Sequence, residues 1–161
     1  MDLSRLGVFC FLDPLPGAAL GPFARKVERL GYSALWFAEG LGRESLSLAT
    51  HLLGQTQTLV IGSGIAVAYS REPIAAANTA RALSELFPDR FILGLGVSNA
   101  AANERRGVRY EPPVEFMKSY LARMKAALLP LRDALSTERD RAKAGREALI
   151  AEAVALAARA T

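Results

Sequence analysis

Two stretches carry the residue types best suited to handling a small ligand: Leu59–Pro73, LVIGSGIAVAYSREP, and Arg90–Ser98, RFILGLGVS. Each is an apolar run that ends in glycines and small or hydroxyl-bearing residues. That pattern predicts a strand buried on both faces, delivering a flexible, ligand-facing loop at its carboxyl end. Parallel α/β proteins place their chemistry at that end of the sheet. Other chemistries are excluded by count. The single Cys10 leaves no internal disulfide, and one cysteine with one histidine, His51, leaves no Cys/His zinc site within the chain. Cys10 lies in an apolar run, the setting of a small buried thiol. Gly62-Ser63-Gly64 and Gly94-Leu95-Gly96 offer G-x-G, but neither completes G-x-G-x-x-G, and no Walker motif is present. A long loop carrying Tyr69 and Arg71 also separates the first of them from its helix.

The elements that must position these loops follow from periodicity. Leu6–Leu12 is the first strand, ended by Asp13, Pro14, Pro16 and Gly17. Leu20, Phe23, Ala24, Val27 and Leu30 then share one face of an amphipathic helix stopped by Gly31. Ala34–Ala38 is the second strand, followed by a helix with Leu46, Ala49, Leu52 and Leu53 inward. Leu59–Ala66 is the third strand, and Pro73 opens a helix that turns Ala76, Ala80, Leu83 and Phe87 inward. Phe91–Leu95 is the fourth strand. Asn99–Pro113 reads as a polar, basic loop. A helix from about Val114, with Met117, Tyr120, Leu121, Met124 and Leu128 inward, runs to Pro130. Beyond it, Ser136–Arg146 is charged and alanine-rich, with Ser136 or Thr137 as the N-cap of a helix whose apolar face is Leu149, Ile150, Ala153, Val154 and Leu156.

Strand and helix thus alternate four times, as successive βαβ units do. Four parallel strands suit either a doubly wound sheet or part of a (β/α) barrel. The chain has 161 residues, 51% hydrophobic and 22% charged, which is globular and long enough for one sizeable core. No apolar stretch reaches membrane-span length, and the N-terminus has no signal-peptide pattern, so the expectation is a cytoplasmic protein with no membrane partner. The net charge of +4 is interleaved with acids, as in KVER and TERDRAK, which describes a solvated mixed face and not a nucleic-acid surface.

GYSALWFAEGLGRESL, followed by LVIGSGIAVAYSREPIAAANTARALSELFPDRFILGLGVS, resembles the N-terminal half of the luciferase-like monooxygenase superfamily, nearest to its branch that uses the deazaflavin coenzyme F-420. The likeness runs over about Leu6–Leu128. It implies an α/β fold of parallel (β/α) units of the TIM-barrel type, about four strands (a half barrel) in residues 1–130, with a C-terminal helical tail in 131–161. It also implies an oxidoreductase that moves a hydride between F-420, or alternatively FMN, and a small organic substrate. A non-prolyl cis peptide, matched here by Gly64-Ile65, would support the cofactor ring. Gly96, Val97, Ser98 and Asn99 match the loop that contacts the ring and its side chain, and Glu39 matches an active-site carboxylate.

Some relatives carry a proton-donating His after that acid, where this chain has Gly40. His51, on the second helix, reads as a surface or packing residue. Glu39 is then either the proton-transfer group or a carboxylate that caps the next helix or pairs with Arg43. Trp36 either walls the cofactor pocket or packs the core, and Tyr69 and Arg71 either line the pocket mouth or, for Arg71, tie down its loop. A full barrel takes about 250 residues, and the units that hold the cofactor's phosphate tail have no counterpart here. DRAKAGREAL faintly resembles a helix near the C-terminus of full-length relatives. Open parallel edges are normally covered. The expected partner is therefore a second copy, a homo-oligomer, or a complementing C-terminal half, unless the tail helix covers one edge. The alternative to an enzyme is a truncated, non-catalytic half-barrel that serves as an assembly or ligand-binding module.

Overall fold

The computed structural model describes Met1, residues 3–128 and the pairs 136–137, 140–141 and 143–144. In chain order the elements are β1 (Gly7–Cys10), α1 (Gly17–Arg29), β2 (Ala34–Phe37), α2 (Ser45–Gly54), β3 (Val60–Ser63), β4 (Ala66–Val67), a 3-10 turn (Ala68–Ser70), α3 (Pro73–Leu86), β5 (Phe91–Ile92), β6 (Leu95–Gly96) and α4 (Ala100–Arg105). A further helix, α5, spans 113–128. Met1–Met124 and Lys125–Thr161 are two compact units. The first holds the sheet and both glycine-rich stretches. In the second, Ser136 and Thr137 are themselves helical, and the expected apolar face from Leu149 to Leu156 lies outside the described residues.

β1, β2, β3 and β5 form one parallel sheet in that order, and β4 pairs with β6 in a second, two-stranded one. This is the α/β architecture of parallel βα units that the alternation predicts. The third and fourth strands are each interrupted, where single strands Leu59–Ala66 and Phe91–Leu95 are expected. The ladder passes from Gly62↔Ile92 to Ala66↔Leu95, so the β3–β4 side carries one residue more than the β5–β6 side. An extra residue on one strand bends it and re-aims its backbone.

Leu35, Phe37 and Ile61 line the sheet face covered by Leu20, Ala24 and Val27 of α1 and by Leu46, Ala49, Leu52 and Leu53 of α2. Strand residues alternate between faces, so Trp36 and its register partner Phe9 lie on the other face. Leu30 is exposed rather than inward, because α1 ends at Arg29 and Leu30 is its C-cap, followed by Gly31 at φ 82. Leu121 is also exposed. α5 buries Tyr120 with Phe116, Met117 and Met124 packed beside it, and Leu121 lies past the edge of that stripe, about 100° around the helix from Tyr120. The segment 99–113 is not all loop. Asn99 accepts the Ala102 N–H and caps α4, a signal hidden in polar composition.

One acidic residue fixes where β3 begins. Glu28 Oε1 accepts the backbone N–H groups of Gln57, Thr58 and Leu59 at 2.8, 2.6 and 2.9 Å. Partial burial by itself would raise its carboxyl, but those hydrogen bonds outweigh it and hold the group below its ordinary 4.5. A depressed folded value contributes stability above the unfolded value, and that contribution is lost as pH falls through the folded one. Urea midpoints should therefore drop as pH falls below 4.5, and Glu28→Gln should flatten that acid limb. An unchanged limb in the variant would contradict this account of Glu28.

Candidate functional site

At the carboxyl ends of the strands the chain steps outward. Leu59–Ser63 and Ala66–Ala68 are buried, whereas Gly64 and Ile65 between them are half-buried, as is the whole run 92–98. The Gly64–Ile65 peptide is cis, as the family resemblance implies. Neighbouring strands fix this step. Gly64 N–H donates to Phe37 O at 2.7 Å, and Glu39 N–H donates to Ile65 O at 3.2 Å. Ser63 Oγ bridges to Gly94, donating to its carbonyl at 2.9 Å and accepting its N–H at 3.0 Å. Gly96 approaches so closely that a Cβ there would lie 2.9 Å from Ile65 Cγ1. Gly96, Val97 and Ser98 thus continue from the step as one half-buried surface. Ser98 takes φ 59, and Asn99 turns away to cap α4.

Glu39 lies behind this surface. Its Oε2 accepts Ser45 Oγ, Val67 N–H and Arg71 Nη2 at 2.8, 2.8 and 2.7 Å, and its Oε1 accepts Arg71 Nη2 at 2.8 Å. The Arg71 and Glu39 side chains are 8% and 6% exposed, so this is a buried ion pair. Arg71 also reaches Glu44 Oε1 at 2.9 Å and, through Nη1, donates to Val67 O. The partner of Glu39 is thus Arg71 and not Arg43, which instead holds the carbonyls of Leu12, Asp13 and Leu15. The cap of α2 is Glu44, whose carboxylate accepts the Leu46 and Ser47 N–H groups. Its burial acts to raise the carboxyl, but those N–H groups, the Ser47 hydroxyl and Arg71 outweigh that and lower it.

Tyr69 and Arg71 do not act alike. Tyr69 is clamped away from the step: its hydroxyl donates to Glu111 O and accepts Glu111 N–H, and its ring stacks on Phe116 at 3.8 Å. Beside it an open cavity of about 430 Å³ is lined by Tyr69, Arg71, Phe116, Tyr120 and Arg123. The Tyr120 hydroxyl is buried without a partner, and burial raises its pKa above the ordinary value. Trp36 is half-buried on the sheet face opposite the helices, its ring 2.5 Å from where a Gly62 Cβ would be. Phe9 packs beside Gly64 and edge-on to Phe11, and these two phenylalanines are 55% and 65% exposed. His51 is exposed on the last turn of α2, and Cys10 is half-buried. Among the described residues no cluster of metal-ligating side chains occurs.

Two charged residues that sequence reasoning passed over meet at Gly40. Asp13 Oδ2 accepts the Gly42 N–H at 3.2 Å and fills the space a Gly40 side chain would need. Arg106, from the end of α4, donates to Gly40 O at 2.9 Å. Asn103, one turn earlier and fully buried, donates to Val97 O at 2.7 Å. No spacing in the sequence ties residue 13 or 106 to residue 40. Gly40→Ala should cost about 0.5–1.5 kcal/mol in urea denaturation, by displacing the Asp13 carboxylate from the Gly42 N–H. The same change in an Asp13→Ala background should cost little. Equal losses in both backgrounds would contradict the steric account.

The Luciferase-like monooxygenase family model matches residues 5–158. The 5,10-methylenetetrahydromethanopterin reductase of Methanolobus tindarius is 26% identical over 119 residues, covering 73% of this chain and 36% of that protein. The chain therefore spans about a third of the length of such curated relatives. Among solved structures, the coenzyme F-420-dependent tetrahydromethanopterin reductase of Methanopyrus kandleri superposes with a TM-score of 0.59 at 20% identity, over 66% of this chain and 30% of that one. The oxygenating constituent of 3,6-diketocamphane monooxygenase of Pseudomonas putida, in complex with FMN, gives 0.65 at 16%, over 74% and 39%. These two likenesses concern the fold, which is that of parallel TIM-barrel units. The chain belongs to the luciferase-like monooxygenase family.

Proposed function

We propose that the protein is a luciferase-like oxidoreductase that binds F-420 or, alternatively, FMN, and acts on a small organic molecule. The observation that carries this reading is the half-buried step at Gly64 and Ile65 within an otherwise buried run, continued by Gly96, Val97 and Ser98. A planar ring needs an apolar surface open on one side, and the half-buried Gly64, Ile65, Gly96 and Val97 support that reading. The bound cofactor would supply the hydride chemistry, while the protein supplies orientation and electrostatics.

In that arrangement Gly64 and Ile65 would support the ring. The backbone of Gly96, Val97 and Asn99 and the Ser98 hydroxyl would hold it from the loop. Phe9, beside Gly64, lies where it would border a substrate placed over the ring. Glu39 has its oxygens filled by Ser45, Val67 and Arg71, an arrangement that favours an anchoring role over proton transfer. The outer edges of β1 and β5 lie at opposite ends of the sheet, and with the exposed Phe9 and Phe11 at the β1 end they would accept further strands. We assign these to a second copy or a complementing C-terminal half.

Titration with F-420 and with FMN, followed by fluorescence, tests the reading. Saturable binding of one of them is expected. Ile65→Asp, a polar change at a half-buried site, should weaken it by about tenfold or more, equivalent to 1.4 kcal/mol. Binding of neither by the wild-type chain, or equal binding by the variant, would refute the shelf.

A further inference from the structure

Beyond the step, the chain re-enters a strand that β2 no longer supports. β2 pairs with β3 as far as Phe37↔Ser63, and the next strand, β4, pairs with β6 alone. The residue that replaces the missing ladder is Glu39. Its backbone N–H holds Ile65 O, and its carboxylate accepts the Val67 N–H. The carbonyl of the same Val67 accepts from Arg71 Nη1, and Arg71 is itself locked to Glu39. Both hydrogen-bonding groups of Val67 are therefore made by one buried ion pair, where a sheet would supply a strand.

Val67 stands opposite Gly96 in the β4–β6 ladder, and Ala66 N–H donates to Gly94 O at 2.7 Å. Any shift of Val67 is thus passed to the segment 94–96, from which Val97, Ser98 and Asn99 emerge. Ser45, the first residue of α2, adds its hydroxyl to Glu39, and Glu44 adds a second carboxylate to Arg71. The pair is braced from both sides by α2 and is reached by the chain just before α3.

We propose that Glu39 and Arg71 are positioning residues which, as one unit, set the height of the 94–99 loop relative to the Gly64–Ile65 step. The relative height of these two parts would set the surface on which the cofactor ring rests. The functional half of this inference rests on the cofactor reading above, and its structural half does not. A charged pair suits the task because Arg71 Nη2 meets both Glu39 oxygens while Nη1 holds the Val67 carbonyl, so the planar guanidinium fixes distance and angle together. Lysine carries the same charge without the planar fork.

The test compares wild type with Glu39→Gln and Arg71→Lys, both close in size to the native residue, using amide hydrogen exchange and F-420 titration on the full chain. Exchange at Val67 and over 95–97 should quicken about tenfold or more, while Leu35 and Ile61 in the main sheet keep their protection, because local opening is separable from global unfolding. The F-420 dissociation constant should rise about tenfold, with the double variant no worse than the poorer single one, as coupled residues behave. Unchanged exchange at Val67, or uniform acceleration that includes Leu35 and Ile61, would overturn the positioning claim. Quickened exchange with unaltered F-420 binding would overturn its functional half. If the wild type binds neither F-420 nor FMN, the cofactor reading falls, and the exchange pattern still decides whether the pair positions the loop.

Discussion

A carboxylate and a guanidinium buried together hold the chain where it leaves β3. Removing two charges from water is costly, and such a pair persists only where its geometry is good and its remaining lone pairs and protons are satisfied. Glu39 and Arg71 meet those conditions through Ser45, Glu44 and both backbone groups of Val67. When Glu39 is neutralised Arg71 still pairs with Glu44, so the charge is not left unpaired and the loss is local. The pair is thus a fixed point, and the residues around it are arranged to it. β2 delivers Glu39, the 3-10 turn delivers Arg71, and α2 begins with the side chains that close the cluster. The apolar step and the glycine loop then occupy the places this fixed point leaves them.

The same geometry explains why the glycines stand where they do. Gly96 lies against Ile65, Gly94 against Ser63, Gly62 beneath Trp36 and Gly40 against Asp13. Each marks a close approach of two segments at the mouth of the sheet. Gly40 is the most informative, because its missing side chain is replaced in space by a carboxylate from the loop after β1. The family resemblance implies a histidine at that position in some relatives. Here the site has an acid and, from α4, the Arg106 guanidinium on the Gly40 carbonyl. The mouth at Gly40 is thus polar, built by side chains from two other parts of the chain.

Much of this architecture was legible from periodicity. The inward faces of α1, α2 and α3 and the order of the βα units follow from apolar spacing, since a core helix and a doubly buried strand leave distinct periods. The step at Gly64–Ile65 and the loop 96–99 were legible only through the family resemblance, because apolar run and glycine content alone fit several folds. Three features were not legible. The Glu39–Arg71 pairing spans 32 residues and competes in sequence with the nearer Arg43. Asp13 and Arg106 reach Gly40 through loop geometry, and Asn99 read as loop because a capping asparagine and a turn asparagine look alike.

The central claim is that the Gly64–Ile65 step and the 96–99 loop together form a cofactor shelf. The most direct measurement is backbone amide chemical-shift mapping of the labelled chain during addition of F-420, with FMN in parallel. The account predicts that the largest shifts fall at Gly64–Val67 and Gly96–Asn99, with smaller ones at Glu39 and Arg71. Shifts centred instead on Tyr69, Phe116 and Tyr120, around the cavity beside α5, would contradict it.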